Sequence, residues 1–185
     1  YSDSEKDHSQ GIRQIYRIWK VGKNHAYALG LLESAINELH NRPQVARLHY
    51  LRGRIFEETD HQEKAVAEYQ KALDCMYHPG CRKDMLLYRI ARIRKAQHRL
   101  DEAAKFYRAL VHRYPKSLLS RSGLYSLYKY QETKKNLTRA HHYLDRLLLF
   151  KALFPTHRVE IEKRLRSIEA LMNIEEMQKL RRYSK

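Results

Sequence analysis

The feature that most constrains the fold is a set of small and aromatic residues at fixed spacing in the first half of the chain. Gly53, Phe56, Ala65, Tyr69 and Ala72 follow one another at intervals of 3, 9, 4 and 3 residues. Small residues at a helix crossing let two antiparallel helices approach to about 8–10 Å, and aromatic rings fill the flanks. The spacing therefore predicts two packed helices joined by a short turn.

Weaker copies of this pattern follow along the chain. Ala103 and Ala140 stand 38 and 37 residues after the preceding alanine of the series. The second copy keeps Ala91 and Tyr107 but has Arg94 where an aromatic residue is expected. Because each pair of helices leaves one apolar face open, neighbouring pairs must stack to cover it.

The repeated pattern resembles the tetratricopeptide repeat. The resemblance implies an all-α fold, a right-handed α-solenoid of about four helical hairpins and a long C-terminal capping helix, and the chain length predicts one structural unit. A generic helical bundle is the alternative. The scarcity of turn residues, with six Gly and four Pro, also favours long helices. The chain is predicted to have three parts: a polar, disordered segment 1–8, a solenoid 9–155 and a capping helix 156–185. The solenoid consists of an atypical repeat 9–42, two repeats 46–79 and 84–115, and a degenerate repeat 121–155.

The capping helix is predicted from an apolar stripe after Pro155. Ile161, Leu165, Ile168 and Met172 are spaced 4, 3 and 4 residues apart, which places them on one helix face. We expect this face to cover the last repeat. Beyond Met172 the stripe drifts, so the final turns are candidates for self-association or for a frayed, solvated end.

The resemblance also implies where a partner binds, because the first helix of each repeat lines the concave surface of such solenoids. The fifth-position tyrosines are Tyr50, Tyr88 and Tyr125, and the ninth-position cations are Arg54, Arg92 and Lys129. We expect these tyrosines to share one wall and to be dispensable for packing within a hairpin. The alternative is that the chain's 14 tyrosines are simply abundant and the cations solvated. The full predicted surface is Arg47, Tyr50, Arg54, Met85, Tyr88, Arg92, Lys95, Tyr125 and Lys129.

The chemistry of this surface favours an extended, acidic peptide or protein partner. Tyrosine offers rigid apolar area, and arginine offers a planar fork that matches carboxylates. Charge is also uneven along the chain: residues 1–81 carry 11 Lys+Arg and 11 Asp+Glu, whereas residues 82–185 carry 26 and 10, which accounts for the net charge of +16. This basic half supports a second hypothesis, binding of single-stranded RNA or DNA with tyrosines stacked on bases.

No catalytic constellation is recognisable in the sequence. The six glycines are isolated, and neither an H-E-x-x-H nor a G-x-S-x-G motif is present, so we predict a non-enzymatic protein without a cofactor. The acids Glu57, Glu58 and Asp60 are interpreted as a solvated turn. Cys75, His78 and Cys81 have spacing for three metal ligands, but a structural zinc needs a fourth. A disulfide between Cys75 and Cys81 across Pro79-Gly80 is favoured, with two free thiols as the alternative.

The cellular location rests on two short observations. The segment Tyr114–Ser117, YPKS, resembles repeats of bacterial envelope scaffolds, including the lipoprotein that serves outer-membrane protein assembly. The chain also begins at Tyr1 rather than at Met, which suggests a processed or trimmed protein. A periplasmic or envelope-associated location is therefore favoured over a cytoplasmic one. No apolar run reaches the roughly 18 residues of a membrane helix.

Overall fold

A computed structural model describes residues 2–39, 42–75, 82–150 and 155–183, and it describes side chains for residues 10–39, 42–75, 82–150 and 156–176. Within these ranges the chain forms nine helices and no strand, so the predicted all-α repeat fold is confirmed. The helices are α1 Ser2–Lys20, α2 His25–Glu38, α3 Val45–Glu58, α4 Gln62–Asp74, α5 Lys83–Ala96, α6 Leu100–Arg113, α7 Leu118–Thr133, α8 Leu137–Leu148 and α9 Pro155–Tyr183.

The first eight helices are paired by short turns that share one backbone feature. Each turn contains a non-glycine residue in the left-handed region, namely Lys23, Asp60, His98 and Lys135, with φ of 51°, 58°, 59° and 55°. In the last three turns, the next residue donates its N–H to the carbonyl five positions earlier, at 2.8–2.9 Å. A left-handed residue with this bond is a common way to end a helix. The turn between α1 and α2 shares the left-handed residue, but there the N–H of Asn24 is bonded to the Ile18 carbonyl, six positions earlier, at 3.4 Å.

The chain divides into two compact units, residues 1–86 and residues 87–185, rather than the one structural unit predicted. Repeat folds bury their apolar surface between neighbouring helices, so one central core is not required. The boundary falls within α5.

One buried cluster of the first unit is built by α1, α2 and α3, and α4 adds Ala65, Val66, Tyr69 and Ala72 to the buried residues of this unit. Helix α1 begins at Ser2, so the segment predicted to be disordered is helical from its second residue. Gly53 of α3 is buried against the Tyr69 ring of α4, and a methyl group at position 53 would lie 2.5 Å from Tyr69 Cε1. This contact explains the small residue in the sequence pattern. The shared core consists of Ile12, Ile15, Trp19, Ala28, Leu32, Leu48, Leu51 and Ile55.

The second unit replaces part of the expected pattern with polar contacts. Arg94, at the position expected for an aromatic residue, is only 9% exposed. Its Nε lies 3.3 Å from Glu102 Oε2, and its guanidinium donates to Gln97 at 2.8 Å. Tyr128, at the position expected for a small residue, is fully buried, and its hydroxyl donates to Glu132 at 2.7 Å. Each of these two residues therefore has a polar partner at a position where the repeat pattern is broken.

Helix α9 packs against α8 with the predicted face. Ile161, Leu165 and Ile168 are buried, whereas Met172 is partly exposed. The helix begins one residue earlier than predicted, since proline is well suited to the first turn of a helix. Leu171 and Ile174 are about half exposed, and the predicted self-association through this helix stays a prediction.

Candidate functional site

In the first unit, the fifth-position tyrosine is part of the packing. Tyr50 is half-buried against the core, and its ring centroid lies 6.1 Å from that of Tyr69 on α4. Its hydroxyl lies 3.4 Å from Met85 Sδ and accepts a hydrogen bond from Arg54 at 3.3 Å. The structure therefore brings Tyr50, Arg54 and Met85 together. The expectation that these tyrosines are dispensable for hairpin packing is wrong for Tyr50.

Arg54 is held within this unit by several groups. Its guanidinium lies 3.5 Å from Glu58 Oε1 and 5.5 Å from the centroid of the Trp19 ring. Burial lowers the pKa of Arg54, but the hydrogen bond with Tyr50 and nearby groups outweigh it, so the net pKa is raised. Because Glu58 already balances its charge, Arg54 offers less to an acidic partner than the sequence suggests.

Of the three acids interpreted as a solvated turn, Asp60 is exposed in the turn after α3, whereas Glu57 and Glu58 connect helices. Glu58 accepts a hydrogen bond from Trp19 Nε1 at 2.9 Å and is paired with Lys20 of α1. Burial raises the pKa of Glu58, and the hydrogen bond with Lys20 helps lower it below the ordinary value. Glu57 accepts a hydrogen bond from the Tyr69 hydroxyl at 2.6 Å. These two carboxylates therefore have structural partners on other helices.

In the second unit, helix α5 presents two exposed cations beside a tyrosine. Tyr88 is half-buried, with its ring centroid 6.3 Å from that of Tyr107 on α6. The guanidinium carbon of Arg92 lies 5.9 Å from the Tyr88 ring centroid. Arg92 and Lys95 are both exposed, and neither forms an ion pair within the described ranges. Of the three ninth-position cations, Arg92 is the one that has no ion pair with an acid in the described part of the chain, since Arg54 is paired with Glu58 and Lys129 with Glu132.

The corresponding residues on α7 behave differently. Tyr125 is 46% exposed, and its ring centroid lies 5.8 Å from that of Tyr128. Lys129 donates to Glu132 at 2.8 Å, and this hydrogen bond raises the pKa of Lys129. The ninth-position cations are thus alike in sequence but differ in how far neighbouring acids compensate them.

Two cavities in the second unit were not predicted from the sequence. One, of about 160 Å³, is lined by Lys95 and Lys129 together with Ala103, Ala104 and Tyr107 of α6. The other, of about 410 Å³, lies among α7, α8 and α9 beside Tyr125.

The predicted disulfide and the candidate metal ligands lie only partly within the described residues. Cys75 is half-buried at the end of α4 and has no disulfide partner among the described residues, and burial raises the pKa of its thiol. Its predicted partner Cys81 and the third metal-ligand candidate, His78, lie outside those residues, so the disulfide stays a prediction. The described part of the chain contains no group of three or more residues suited to bind a metal ion.

None of the described helices combines the length and apolar character needed to cross a bilayer.

Comparison with known proteins agrees with the repeat pattern. Residues 46–74 and 86–117 each match a family model described as a tetratricopeptide repeat, a family of generally non-enzymatic protein-binding scaffolds. A search of curated proteins finds no match. A tetratricopeptide repeat protein from Parabacteroides merdae is similar in structure, with a TM-score of 0.68 and 17% identity. The match covers 91% of this chain but 62% of that protein, so this chain spans less than two thirds of its length. BtubC (BKLC) from P. vanneervenii is also similar, with a TM-score of 0.59, 16% identity and coverage of 88% and 73%.

Proposed function

Since this chain is a tetratricopeptide repeat protein, we propose that it is a non-enzymatic scaffold that binds an extended, acidic segment of a partner protein. The observation that carries the proposal is the exposed pair Arg92 and Lys95 beside Tyr88 on α5. The excess of basic residues in positions 82–185 supports an acidic partner, because complementary charge steers association.

The contacts expected with such a segment follow from the side chains. The Arg92 guanidinium can donate two parallel hydrogen bonds to a carboxylate, and Lys95 adds a second positive charge three residues on. Exposed ion pairs contribute only about 0–1 kcal/mol each. The exposed edges of Tyr88 and Tyr125 must therefore supply apolar contact as well. We expect binding in roughly the micromolar range, as is typical of small, partly polar interfaces.

A matched pair of charge reversals tests the proposal. The variant Arg92→Glu/Lys95→Glu reverses the pair on α5, and Lys105→Glu/Arg108→Glu reverses two exposed cations with the same spacing on α6. Both variants change the net charge equally. The probes are fluorescein-labelled peptides of alternating Glu and Leu or of alternating Lys and Leu, and the measurement is fluorescence anisotropy.

We expect the α5 variant to weaken binding of the Glu-Leu peptide by roughly tenfold or more, because two attractions become repulsions. The α6 variant should change it by less than about twofold. Equal losses in the two variants, or equal binding of the two peptides by the natural chain, would contradict a specific acidic-peptide surface. Arg54→Glu is a poor test because it would place a carboxylate beside Glu58 and destabilise the first unit.

Single-stranded nucleic acid is the alternative partner, supported by the charge of residues 82–185. Binding through phosphates would fall steeply with salt, because counterions are released. Gel shifts with oligo(dT) and oligo(U) at two salt concentrations measure this dependence. Tight, salt-sensitive binding to both oligonucleotides together with no preference for the acidic peptide would favour this alternative.

The predicted envelope location has no separate structural support. Within the YPKS segment, Ser117 caps α7 by accepting the N–H of Leu119 at 3.2 Å, and the Tyr114 carbonyl accepts a hydrogen bond from Ser120 Oγ at 2.6 Å. These contacts account for the segment as a turn between two helices. The envelope location and a role in assembly stay predictions, which fractionation of cells that express the tagged full-length protein would test.

A further inference from the structure

Two neighbouring alanines of α6 line a small cavity beside α7. Ala103 and Ala104 are almost completely buried, and the cavity has a volume of about 160 Å³. This volume is below the roughly 300–1,000 Å³ of a small-molecule site, so the cavity has room for one side chain rather than for a whole ligand. We name it the α6–α7 slot. Its other lining residues are Lys95, Leu100, Tyr107, Ser126, Lys129, Tyr130 and Thr133.

The hydroxyl groups that line the α6–α7 slot already have partners within the chain. Tyr107 is hydrogen-bonded to Ser126, and the Tyr130 hydroxyl donates to Asp101 at the start of α6. Thr133 Oγ1 donates to the Tyr130 carbonyl at 2.8 Å. Because a polar group that already has a partner gains little from a second one, the slot offers an occupant apolar surface above all. An apolar side chain is therefore the occupant that fits.

The two lysines at the α6–α7 slot differ in the charge that they offer. Lys129 donates to Glu132 at 2.8 Å, so an acid on its own helix balances its charge. The Lys95 side chain is exposed and forms neither an ion pair nor a hydrogen bond within the described ranges. The uncompensated charge beside the slot is thus that of Lys95, which favours a carboxylate next to the apolar occupant.

We propose that the α6–α7 slot holds one aliphatic side chain of the partner segment, next to an acidic residue that pairs with Lys95. This inference rests on the proposed function and specifies which sequence the scaffold selects. Lys95 belongs both to the exposed pair with Arg92 and to the lining of the slot, so a segment bound to that pair reaches the slot. The aliphatic side chain is removed from water there, a contribution that exposed ion pairs do not make.

Fluorescence anisotropy with three fluorescein-labelled peptides of equal length tests the slot. They alternate Glu with Leu, Glu with Ala and Lys with Leu. Leu100→Ala removes an apolar wall of the slot at the first residue of α6, and Leu118→Ala truncates an exposed leucine at the first residue of α7. Thr133→Phe places a ring at the slot, and Thr138→Phe adds the same ring at an exposed position of α8 outside its lining. Circular dichroism checks that each variant is folded, and Leu100→Ala carries the test if Thr133→Phe is not.

We expect the natural chain to bind the Glu-Leu peptide roughly fivefold or more tightly than the Glu-Ala peptide, because aliphatic surface is buried. Leu118→Ala and Thr138→Phe should keep this preference, whereas Leu100→Ala and Thr133→Phe should reduce it to less than about twofold.

Three results would contradict the proposal. Equal binding of the Glu-Leu and Glu-Ala peptides by the natural chain, with both preferred over Lys-Leu, would overturn the slot and leave the proposed function standing. A leucine preference that all four variants keep would place the aliphatic contact elsewhere and overturn the slot. No preference of the natural chain for Glu-Leu over Lys-Leu would overturn both proposals.

Discussion

A glycine-to-alanine substitution at position 53 tests the helix crossing on which the repeat depends. The new methyl group would stand 2.5 Å from Tyr69 Cε1 and 2.6 Å from Cδ1. Tyr69 is fully buried and its hydroxyl is bonded to Glu57, so the ring has little room to retreat. Overpacking costs about 1–3 kcal/mol, and a contact of 2.5 Å with a buried ring belongs to the upper part of that range, about 2–3 kcal/mol. The higher helix propensity of alanine returns about 1 kcal/mol. We expect Gly53→Ala to lower the free energy of unfolding by about 1–2 kcal/mol.

Gly30 in α2 provides the matched control. A methyl group at position 30 would have no neighbouring atom within 4 Å, so Gly30→Ala should raise the free energy of unfolding by about 1 kcal/mol. Both positions lie in the first unit, and the same chemical change should therefore have opposite signs. Urea unfolding followed by circular dichroism measures the difference, which corresponds to a midpoint separation of roughly 1 M.

Gly123 of α7 extends the series to an intermediate case. Its new methyl group would stand 3.2 Å from Val111 Cγ2 and 3.4 Å from Leu110 Cδ2, so small side-chain movements suffice. We expect Gly123→Ala to change the free energy of unfolding by less than about 0.5 kcal/mol, since propensity and crowding offset each other. If Gly53→Ala were as stabilising as Gly30→Ala, the ring of Tyr69 would not fix the helix crossing and the reasoning would be refuted.

Two further predictions concern buried polar contacts of the first unit. His49 Nδ1 lies 2.7 Å from Glu68 Oε2. Burial raises the pKa of Glu68, but its hydrogen bonds with His49 and Lys71 outweigh burial, so the net pKa lies below the ordinary value of 4.5. The ionised carboxylate therefore stabilises the fold above pH 4.5, and this stabilisation is lost as the pH falls through the folded pKa. Glu68→Gln should therefore lower the free energy of unfolding by about 2 kcal/mol at neutral pH. In urea titrations from pH 6 to pH 3, the difference in this free energy between the variant and the natural chain should shrink below pH 4.5. A difference that stays constant over this range would contradict the role given to the Glu68 carboxylate. Glu58→Ala should remove the acceptor of the buried Trp19 indole and cost about 1–3 kcal/mol, measured through the emission of this single tryptophan during unfolding. Glu38→Ala, at an exposed acid of α2, is its control, and equal unfolding midpoints for these two alanine variants would count against the indole contact.

The hairpins were predictable because their signal is local and periodic. The spacing around Gly53 and Tyr69 indicated the pair α3 and α4, and the structure places a close contact between these two residues. Arg94 was not predictable in the same way. Its burial depends on Glu102, which lies across a turn on α6, and a pattern of apolar residues gives no weight to such a pair. The sequence therefore indicated the break in the pattern but not the contact that compensates for it.

The sequence indicated which residues belong to the candidate site, but it did not indicate their hydrogen-bond and ion-pair partners. The interpretation of Glu57 and Glu58 as parts of a solvated turn missed their hydrogen-bond partners, Tyr69 and Trp19, because these come from other helices. The cavity beside Tyr125 was missed for a related reason, since empty space depends on what the facing helix contributes. Contacts between helices distant in sequence, rather than helix positions, are what a single sequence leaves undetermined.

The balance of charge on the first helices nevertheless follows from spacing within each helix. Arg54 has Glu58 four residues later and Lys129 has Glu132 three residues later, so one turn of helix brings an acid to each cation. Arg92 has Lys95 at the equivalent distance and no acid on α5 within one turn on either side. The three ninth-position cations are alike in the sequence, but among them only Arg92, on α5, lacks an acid within one turn of its helix. Because only uncompensated charge attracts a partner strongly, specificity for an acidic segment should be concentrated there.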